Sequence, residues 1–356
     1  MQGARLPGDL GEDVVLEGRR RAELTEEGLL QLAEVAHLYY IKNLTQGHIA
    51  ERIGMSRSNV SRMLKEARDR GLVEIRIHAP LTAAGGLQEE LGGRLGLREC
   101  LVLANPRLGT AAAATASDRM HRLSALGARY LQENIADGSV VGVSWSSTVY
   151  HVVSSRYLQE KPDTVAVQLM GSIGGSITEL DGVSITARLA DTLGARAHYL
   201  HAPMLVASAL VREGLMRDPH IRATLEVARG ADTMVVSVGT IDRRSGQYRT
   251  GYLDDGDLES IRARGAVGDI CGSYFSRDGS PIRLEMTGRT IAIGFEEMRA
   301  IPNRVGVSGG PGKALANIGA VRAGLLNVLI TDQDTAAEML AILNAEDDLA
   351  DRKPAS

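Results

Sequence analysis

The sequence predicts an α/β protein in which an amino-terminal winged helix-turn-helix domain precedes a larger α/β domain built on a parallel sheet. Two observations carry this prediction. Residues 44–77 read as two short helices joined at a glycine and followed by a short strand, whereas residues 87–349 alternate short Val/Ile/Leu runs with longer helical stretches. Buried strands that are separated by helices indicate a parallel sheet covered on both faces. A chain of 356 residues is long enough for about two or three domains.

The composition excludes several classes of protein. With 44% hydrophobic and 24% charged residues, the chain is similar to ordinary globular proteins that bury a sizeable core. Only 3% of its residues are aromatic, which argues against a stacking platform for single-stranded DNA or RNA. Its two cysteines, Cys100 and Cys271, have no Cys or His partner at metal spacing, so no zinc site or disulfide is expected. Because the sequence also lacks an apolar run of membrane length and a secretory core, we expect a cytoplasmic protein without metal, cofactor or membrane partner.

Changes of composition divide the chain into four segments. Residues 1–24 mix glycine, acidic residues and three consecutive arginines, as mobile tails do. Residues 25–79 carry the helix-turn-helix pattern, and the break at Pro80 with the Gly- and Ala-rich residues after it indicates a linker over 80–86. The larger domain is therefore predicted to run over 87–349.

The first domain is predicted to hold three helices and a wing strand. The helices are expected over 29–40, over Gln46–Ile53 and after Ser56, and the strand over 73–77. Thr45 and Ser56 can cap the second and third helices, because a hydroxyl can accept a hydrogen bond from a free N–H of the first turn. Gly54 reaches positive φ easily and therefore suits the tight turn between these helices. The third helix would bury Val60, Met63, Leu64 and Ala67.

The exposed face of the third helix, with the start of the second, is predicted to bind DNA. The predicted DNA-binding residues are Thr45, Gln46, Arg57, Ser58, Asn59, Ser61, Arg62 and Lys65. Arg and Asn can form paired hydrogen bonds with guanine and adenine edges, and Ser and Lys suit phosphates. Residues 31–78 hold eight Lys/Arg against five Asp/Glu, in a chain whose formal net charge is −4. The alternative is a common helical packing unit whose charged face is only solvated.

The larger domain is predicted to contain eight strands and eight helices. The strands are Cys100–Leu103, Val140–Val143, Val165–Met170, Ala197–Leu200, Met234–Val238, Ala266–Ile270, Arg304–Val307 and Asn327–Thr331. The helices fill 112–134, 146–157, 182–193, 205–213, 218–229, 256–264, 312–324 and 333–344. In parallel sheets of this kind, ligands bind at the carboxyl ends of the strands, on the loops that lead into helices.

Three of these loops are rich in hydroxyl groups or glycine. They are Ser144–Thr148, Gly171–Gly175 and Ser308–Lys313. Hydroxyls and free N–H groups at a helix start favour a bound phosphate, and a lysine adds the cationic charge. The alternatives are one capping serine among exposed polar residues, and a solvated lysine. The last loop does not match the Walker A nucleotide-binding motif, because Val307 stands where that motif needs glycine and Ala314 where it needs Ser or Thr.

Acidic residues near strand ends are candidate partners for sugar hydroxyls, since a carboxylate can accept two hydrogen bonds. Asp269 is the strongest candidate, and Asp242 is a weaker one that can equally cap a turn. His151, His198 and His201 show no metal spacing and are interpreted as structural residues.

Taken in order, these motifs resemble those of SorC-family transcriptional regulators. The resemblance runs from about Leu29 to Leu343 and rests on LTQGHIAERIGMSRSNVSRMLKEARDRGLVEI, GVSWSSTV, VQLMGSIGG, GAVGDICGSYFSRDG and GVSGGPGKALANIGAVRAGLLNVLITD. It implies that the larger domain has the fold of ribose-5-phosphate isomerase, glucosamine-6-phosphate deaminase and CoA transferases. It also implies a homo-oligomer, either a dimer or a tetramer, because a two-fold symmetric reader needs paired half-sites.

The resemblance implies an effector-binding role for nine residues. Phosphate contacts are implied for Ser144, Ser146, Ser147, Thr148 and Lys313, and contacts near the sugar hydroxyls for Gln168, Thr240 and Asp269, with Gly171 in the loop after the third strand. Family members more often carry glycine where Ser144 and Ser146 stand in this chain.

We therefore expect a DNA-binding transcriptional regulator of carbohydrate metabolism, whose affinity for double-stranded operator DNA is controlled by a (phospho)sugar or polyol effector. The alternative is an enzyme, a sugar-phosphate isomerase or deaminase with an appended DNA-binding domain. Asp269 and Lys313 could supply its acid/base chemistry, and Lys313 could form a Schiff base with an aldehyde sugar. The sequence has no paired carboxylates at a recognisable catalytic spacing, so a function without catalysis is favoured.

Overall fold

The computed structural model of the chain describes residues 26–73, 81–105, 115–174 and 180–351. The chain divides into two units, unit 1 (Met1–His78) and unit 2 (Ala79–Ser356). The predicted tail and all but the first residue of the predicted wing strand lie outside the described residues. Within the described part, no helix is both long and apolar enough to span a membrane.

The described part of unit 1 contains three helices around a small core. They are α1 (Glu26–Ala36), which continues as a π-helical turn over His37–Ile41, α2 (Gln46–Ile53) and α3 (Arg57–Asp69). The Thr45 hydroxyl accepts a hydrogen bond from His48 N at 3.3 Å, and the Ser56 hydroxyl accepts one from Asn59 N at 3.1 Å. Gly54 ends α2 with a φ of 67°. The predicted second and third helices and their caps are therefore confirmed, and the buried core includes Leu32, Val35, Ile49, Val60, Leu64 and Ala67.

Unit 2 alternates strands and helices along most of its length. In chain order its described elements are α4 (Gly85–Leu95), β1 (Glu99–Leu103), α5 (Ala116–Asn134), β2 (Val140–Val143), α6 (Ser147–Val153), β3 (Val165–Gln168), α7 (Gly182–Leu193), β4 (Arg196–His198), α8 (Ala209–Met216), α9 (Pro219–Arg229), β5 (Thr233–Val236), β6 (Gly239–Thr240), α10 (Gly246–Arg249), α11 (Asp255–Ala263), β7 (Ala266–Ile270), β8 (Ser273–Ser276), β9 (Pro281–Ile282), a 3-10 turn (Met286–Arg289), α12 (Phe295–Ala300), β10 (Asn303–Val307), α13 (Ala314–Arg322), β11 (Val328–Asp332) and α14 (Gln333–Asp351).

Seven of these strands form one parallel sheet in the order β1-β11-β10-β5-β2-β3-β4. The chain runs outward from β2 to β4 and returns as β5 on the other side of β2, so the strand order reverses between β2 and β5. Side chains of β5 show that both faces are buried, because Met234 and Val236 belong to one apolar cluster and Val235 to the other. The predicted parallel sheet covered on both faces is confirmed.

The strand Ala266–Ile270 has the predicted bounds, but its predicted place in the parallel sheet was wrong. It pairs antiparallel with β6 and β8 in a separate sheet of order β6-β7-β8-β9. The reason lies in the next two residues, Cys271 and Gly272, whose φ angles are 51° and 74°. Two consecutive residues with positive φ make a tight hairpin turn, which returns the chain at once and leaves no room for a crossover helix.

Some predicted bounds also differ from the observed ones. Helix α4 was not predicted, and it starts at Gly85, inside the predicted linker 80–86. Its glycines lower helix propensity, whereas burial of Leu91 against the main core stabilises the helix. The helix predicted over 205–213 starts only at Ala209, because Leu205 is bridged to Thr290 in extended backbone.

Helix α13 packs unusually closely on the antiparallel sheet. A Cβ at Gly319 would lie 2.8 Å from Val267 Cγ2 and 2.9 Å from the carbonyl oxygen of Ser276. Glycine is therefore needed at this helical position, although it lowers helix propensity. The close contact holds the start of α13 at the same end of unit 2 as β7.

A matched pair of glycine substitutions tests this packing. Gly319→Ala should lower the free energy of unfolding by about 1–3 kcal/mol, because the added methyl group has no space. Gly214→Ala in α8, where a Cβ would meet nothing within 4 Å, should raise it by about 0.5–1 kcal/mol. Thermal unfolding followed by the fluorescence of Trp145, the only tryptophan, measures both changes in unit 2. Equal shifts in the two variants would contradict the close contact.

Candidate functional site

The exposed face of α3 carries most of the residues that were predicted to bind DNA. Its exposed members are Arg57, Ser58, Ser61, Arg62 and Lys65. Asn59 is partly buried, and its Oδ1 accepts a hydrogen bond from Arg62 Nη2 at 2.8 Å. Burial of Val60 and Leu64 fixes which side of the helix faces outward. The helix thus presents a cationic face with side chains suited to base edges and phosphates.

The other two predicted DNA-binding residues, Thr45 and Gln46, lie at the start of α2. Thr45 is exposed, although its hydroxyl is used as the helix cap. Together with Arg57, both residues line an open concavity to which Tyr39 and Tyr40 also contribute. The two tyrosine rings pack edge to face with their centroids 4.9 Å apart. Neither tyrosine was predicted to bind DNA, although two consecutive aromatic residues are a clear signal in a chain with so few.

Unit 2 contains a cavity of about 250 Å³ at the carboxyl ends of the parallel strands. Its lining comes from the loops after β2, β3, β5 and β10, which surround the point where the strand order reverses. Such reversal points are where open α/β sheets bind their ligands. Six of the nine predicted effector-binding residues line this cavity: Ser144, Ser146, Ser147, Thr148, Asp269 and Lys313.

The serine-rich loop has both capping and cavity-lining hydroxyls. Ser146 Oγ accepts a hydrogen bond from Val149 N at 2.9 Å and so caps α6. Ser144 and Thr148 are buried, and Thr148 Oγ1 lies 3.4 Å from the sulfur of Met120. The simpler alternative, a capping serine, therefore applies to Ser146, while the other hydroxyls remain at the cavity wall.

Lys313 is the lysine of the glycine-rich loop and directly precedes α13. Its side chain is partly buried, and its amine donates a hydrogen bond to the carbonyl oxygen of Val238. Burial lowers the pKa of Lys313, and the charges of Asp269 and Asp242 act in the opposite direction. The alternative of a solvated lysine at the helix start was therefore wrong, because the Lys313 amine is bonded to the protein backbone.

Asp269 is the acidic group of the cavity and is only 7% exposed. Burial raises its pKa to about 6, while the Gly272 N–H, the Lys313 charge and the Gln247 amide oppose that rise. Asp269 Oδ2 accepts hydrogen bonds from Gln247 Nε2 at 2.8 Å and from Gly272 N at 3.2 Å. Tyr274 donates in turn to Gln247 Oε1 at 2.7 Å. Gln247 and Tyr274 therefore position the carboxylate, a role that the sequence alone did not indicate.

The structure does not bring Gln168, Gly171 and Thr240 to the cavity lining. Gln168 is fully buried, where its Nε2 donates to the Met170 carbonyl at 2.7 Å and its Oε1 accepts from Leu200 N at 3.1 Å. A Cβ at Gly171 would lie 2.5 Å from the backbone of Pro203, so this glycine permits a close contact between two segments of the chain.

The hydroxyl of Thr240 is used within its own turn, because Oγ1 donates a hydrogen bond to Asp242 Oδ1 at 3.1 Å. The last residue of the loop Gly171–Gly175 lies outside the described residues.

Two arginines that were not predicted, Arg244 and Arg249, also line the cavity. Arg244 donates to Asp242 Oδ2 from Nε at 3.1 Å and from Nη2 at 2.6 Å. Burial alone would raise the pKa of Asp242, but the hydrogen bonds and charge of Arg244 lower it overall. The guanidinium of Arg244 packs over Gly312, where a Cβ would lie 2.3 Å from Nη2. The available signal in the sequence was the presence of three arginines between Asp242 and Thr250.

This arrangement can bind an anion and a hydroxylated molecule together. Its wall combines cationic groups and hydroxyls with a buried carboxylate. In the described ranges 26–73, 81–105, 115–174 and 180–351, no cluster of three or more His, Cys, Asp or Glu side chains could hold a metal ion.

Comparison with known proteins agrees with this picture. Residues 80–341 match the Sugar-bind family model, which describes a sugar-binding domain, and residues 23–80 match the MarR_2 model of the MarR family. The chain is 31% identical over 310 residues to the deoxyribonucleoside regulator of Bacillus subtilis (strain 168), which covers 86% of this chain and 96% of the relative. It is also 31% identical over 324 residues to the transcriptional regulator LsrR of Klebsiella pneumoniae, covering 90% of this chain and 94% of the relative.

A solved structure confirms the fold over both units. The full-length sorbitol operon regulator SorC from Klebsiella pneumoniae is similar with a TM-score of 0.65 and 24% sequence identity, covering 88% of this chain and 100% of that chain. The resemblance inferred from the sequence motifs is thus confirmed, and the chain belongs to the SorC family of DNA-binding transcriptional regulators with a sugar-binding domain.

Proposed function

We propose that this regulator binds double-stranded operator DNA through α3 and that a phosphorylated sugar or polyol, bound in the cavity of unit 2, controls its operator affinity. The observation that carries the proposal is the composition of that cavity. Lys313, Arg244 and the serine-rich loop converge there with the buried carboxylate of Asp269. This set combines the partners of a phosphate with an acceptor for sugar hydroxyls.

The phosphate of the effector is assigned to Lys313 and the hydroxyls of Ser144, Ser147 and Thr148. Burial disfavours the charged form of Lys313. An anion bound beside the amine would stabilise this ammonium form, and the attraction between them would increase the affinity for the anion. The relatives support the chemical class of effector, since their names refer to deoxyribonucleosides and to a sorbitol operon.

DNA recognition is assigned to the exposed residues of α3, with Arg57, Asn59 and Arg62 at base edges and Ser58, Ser61 and Lys65 at phosphates. Thr45 and Gln46 at the start of α2 would contact the DNA backbone. Because a regulator with this motif reads paired half-sites, we propose a homo-oligomer, a dimer or tetramer, that acts in the cytoplasm. Binding without turnover is proposed, since the relatives are named as regulators.

Substitutions on α3 test the DNA-binding half. An operator is first selected from a randomised duplex pool with the full-length protein. Arg57→Ala or Asn59→Ala should then lose about 1–3 kcal/mol of discrimination, roughly 5- to 150-fold, between the selected operator and unrelated DNA. Fluorescence anisotropy over a range of salt concentrations measures both affinities. Arg129→Ala on the exposed surface of unit 2 is the control, and an unchanged affinity ratio in both α3 variants would refute the assignment.

Substitution of Lys313 tests the effector half. A thermal-shift screen of sugar phosphates, free sugars and polyols identifies ligands that stabilise the wild-type protein. Lys313→Ala should weaken the phosphorylated ligands about 10- to 150-fold, the range for a hydrogen bond to a charged group, and leave DNA binding intact. Lys161→Ala is the control lysine. Normal effector binding by Lys313→Ala would remove the phosphate assignment, whereas turnover of a sugar phosphate lost in that variant would favour the enzyme.

The pH dependence of effector binding tests Asp269. A sugar hydroxyl donates best to the ionised carboxylate, so binding should lower the pKa of Asp269 from about 6 and release a proton. Affinity should therefore rise as the pH increases from about 5 to 7 and then level off. The second ionisation of a phosphate falls near the same pH. The affinities of wild type and Asp269→Asn for one and the same ligand are therefore compared at each pH, because the phosphate contributes equally to both. Parallel pH profiles for the two proteins would exclude the contact.

A further inference from the structure

A buried carboxylate lies directly beneath the glycine-rich loop Ser308–Lys313. Asp332, the last residue of β11, is only 2% exposed. Its Oδ2 accepts hydrogen bonds from Gly310 N at 2.6 Å and Thr335 Oγ1 at 3.0 Å, and its Oδ1 accepts one from Thr335 N at 2.9 Å. Thr335 Oγ1 also lies 2.9 Å from Gly310 N. The carboxylate and the hydroxyl thus hold one N–H group of the loop from below.

The backbone of the loop lies in direct contact with this carboxylate. A Cβ at Gly309 would lie 2.3 Å from Asp332 Oδ2, and Gly310 has a φ of 99°, which side chains disfavour. Burying a carboxylate costs free energy unless it is well hydrogen-bonded, and three donors compensate Asp332. Such a buried contact specifies the conformation of the loop.

The contact determines which groups of the loop face the cavity. The N–H of Gly310 points to Asp332 and is not available to a bound anion, whereas Gly309 and Lys313 line the cavity. Lys313 N donates a hydrogen bond to the carbonyl oxygen of Gly310 at 3.3 Å. The orientation of the Gly310 peptide therefore affects the position of the Lys313 backbone. The conformation set by Asp332 is therefore the one that presents Lys313.

We infer that Asp332 and Thr335 are positioning residues that hold the glycine-rich loop in the conformation that receives the anionic group of the effector. This inference rests on the proposed function, because it assigns the anion to the same loop. Neither residue touches the cavity, so both act through Gly310. Asp332 carries this role although its negative charge would repel a bound anion.

The sign of one substitution separates positioning from simple electrostatics. Asp332→Asn removes the charge, and it also turns one carboxylate acceptor into an amide that matches the Gly310 N–H poorly. If the charge alone mattered, anion affinity would rise in this variant. If Asp332 positions the loop, affinity should fall roughly tenfold, the lower end of the losses known for supporting residues around metal ligands.

The experiment titrates the full-length protein with inorganic phosphate at constant ionic strength and follows the fluorescence of Trp145, which lines the cavity. Asp332→Asn and Thr335→Val should bind phosphate more weakly, and Thr335→Ser, which keeps the hydroxyl, should bind like wild type. Asn303→Ser is the control, because Asn303 is buried at the opposite end of β10 and bonds Thr233 Oγ1 at 3.2 Å. It should lose stability but not phosphate affinity.

Hydrogen exchange without ligand tests the inference independently of the proposed function. The Gly310 amide should exchange faster in Asp332→Asn than in wild type, as measured by mass spectrometry of the peptide that covers the loop. Unchanged exchange, or equal or tighter phosphate binding by Asp332→Asn, would overturn the positioning role. Phosphate binding that Lys313→Ala does not weaken, combined with faster exchange in Asp332→Asn, would instead refute the phosphate assignment of the proposed function and confirm the loop contact.

Discussion

The reversal of strand order between β2 and β5 is the constraint on which the candidate effector site depends. Parallel strands end at one edge of the sheet, and at a reversal the neighbouring loops lead to helices on opposite faces, which leaves a crevice between them. The serine-rich loop follows β2 and the glycine-rich loop follows β10, on the two sides of this point. Hydroxyls and lysine from distant parts of the sequence therefore meet in one cavity.

The antiparallel sheet adds the group that the parallel sheet does not provide. Strand β7 carries Asp269 to the cavity, and the close contact of α13 at Gly319 holds Lys313 at the same end. Burial raises the pKa of Asp269 and lowers that of Lys313, while the attraction between the two charges opposes both shifts. The two charged groups thus partly compensate each other inside the cavity, and each is also hydrogen-bonded, Lys313 to the Val238 carbonyl and Asp269 to Gln247 and Gly272.

The features that depend on residues close together in the sequence were predicted correctly. The caps at Thr45 and Ser56 and the parallel sheet follow from hydroxyl positions and apolar runs, and both are present. Six predicted effector residues line the cavity because strand ends converge there. The sequence could not show that Cys271 and Gly272 form a hairpin turn, nor that the Gln168 amide is used by the backbone at Met170 and Leu200. The turn depends on a positive φ at Cys271, which a non-glycine residue rarely adopts, and the second contact of Gln168 joins segments 32 residues apart in the chain.

Helix α14 gives the glycine-rich loop a connection beyond the cavity. Its first turn holds Thr335, which bonds Asp332 and Gly310. Near its other end, Glu346 pairs with Arg322 at the end of α13 and with Arg277 in the turn after β8, each at 2.6 Å. Asn344 and Asp347 accept hydrogen bonds from Arg94 of α4, the first helix of unit 2. One helix thus bonds the glycine-rich loop, the turn after β8 and α4, so the conformation of the loop and the position of these two segments depend on the same element.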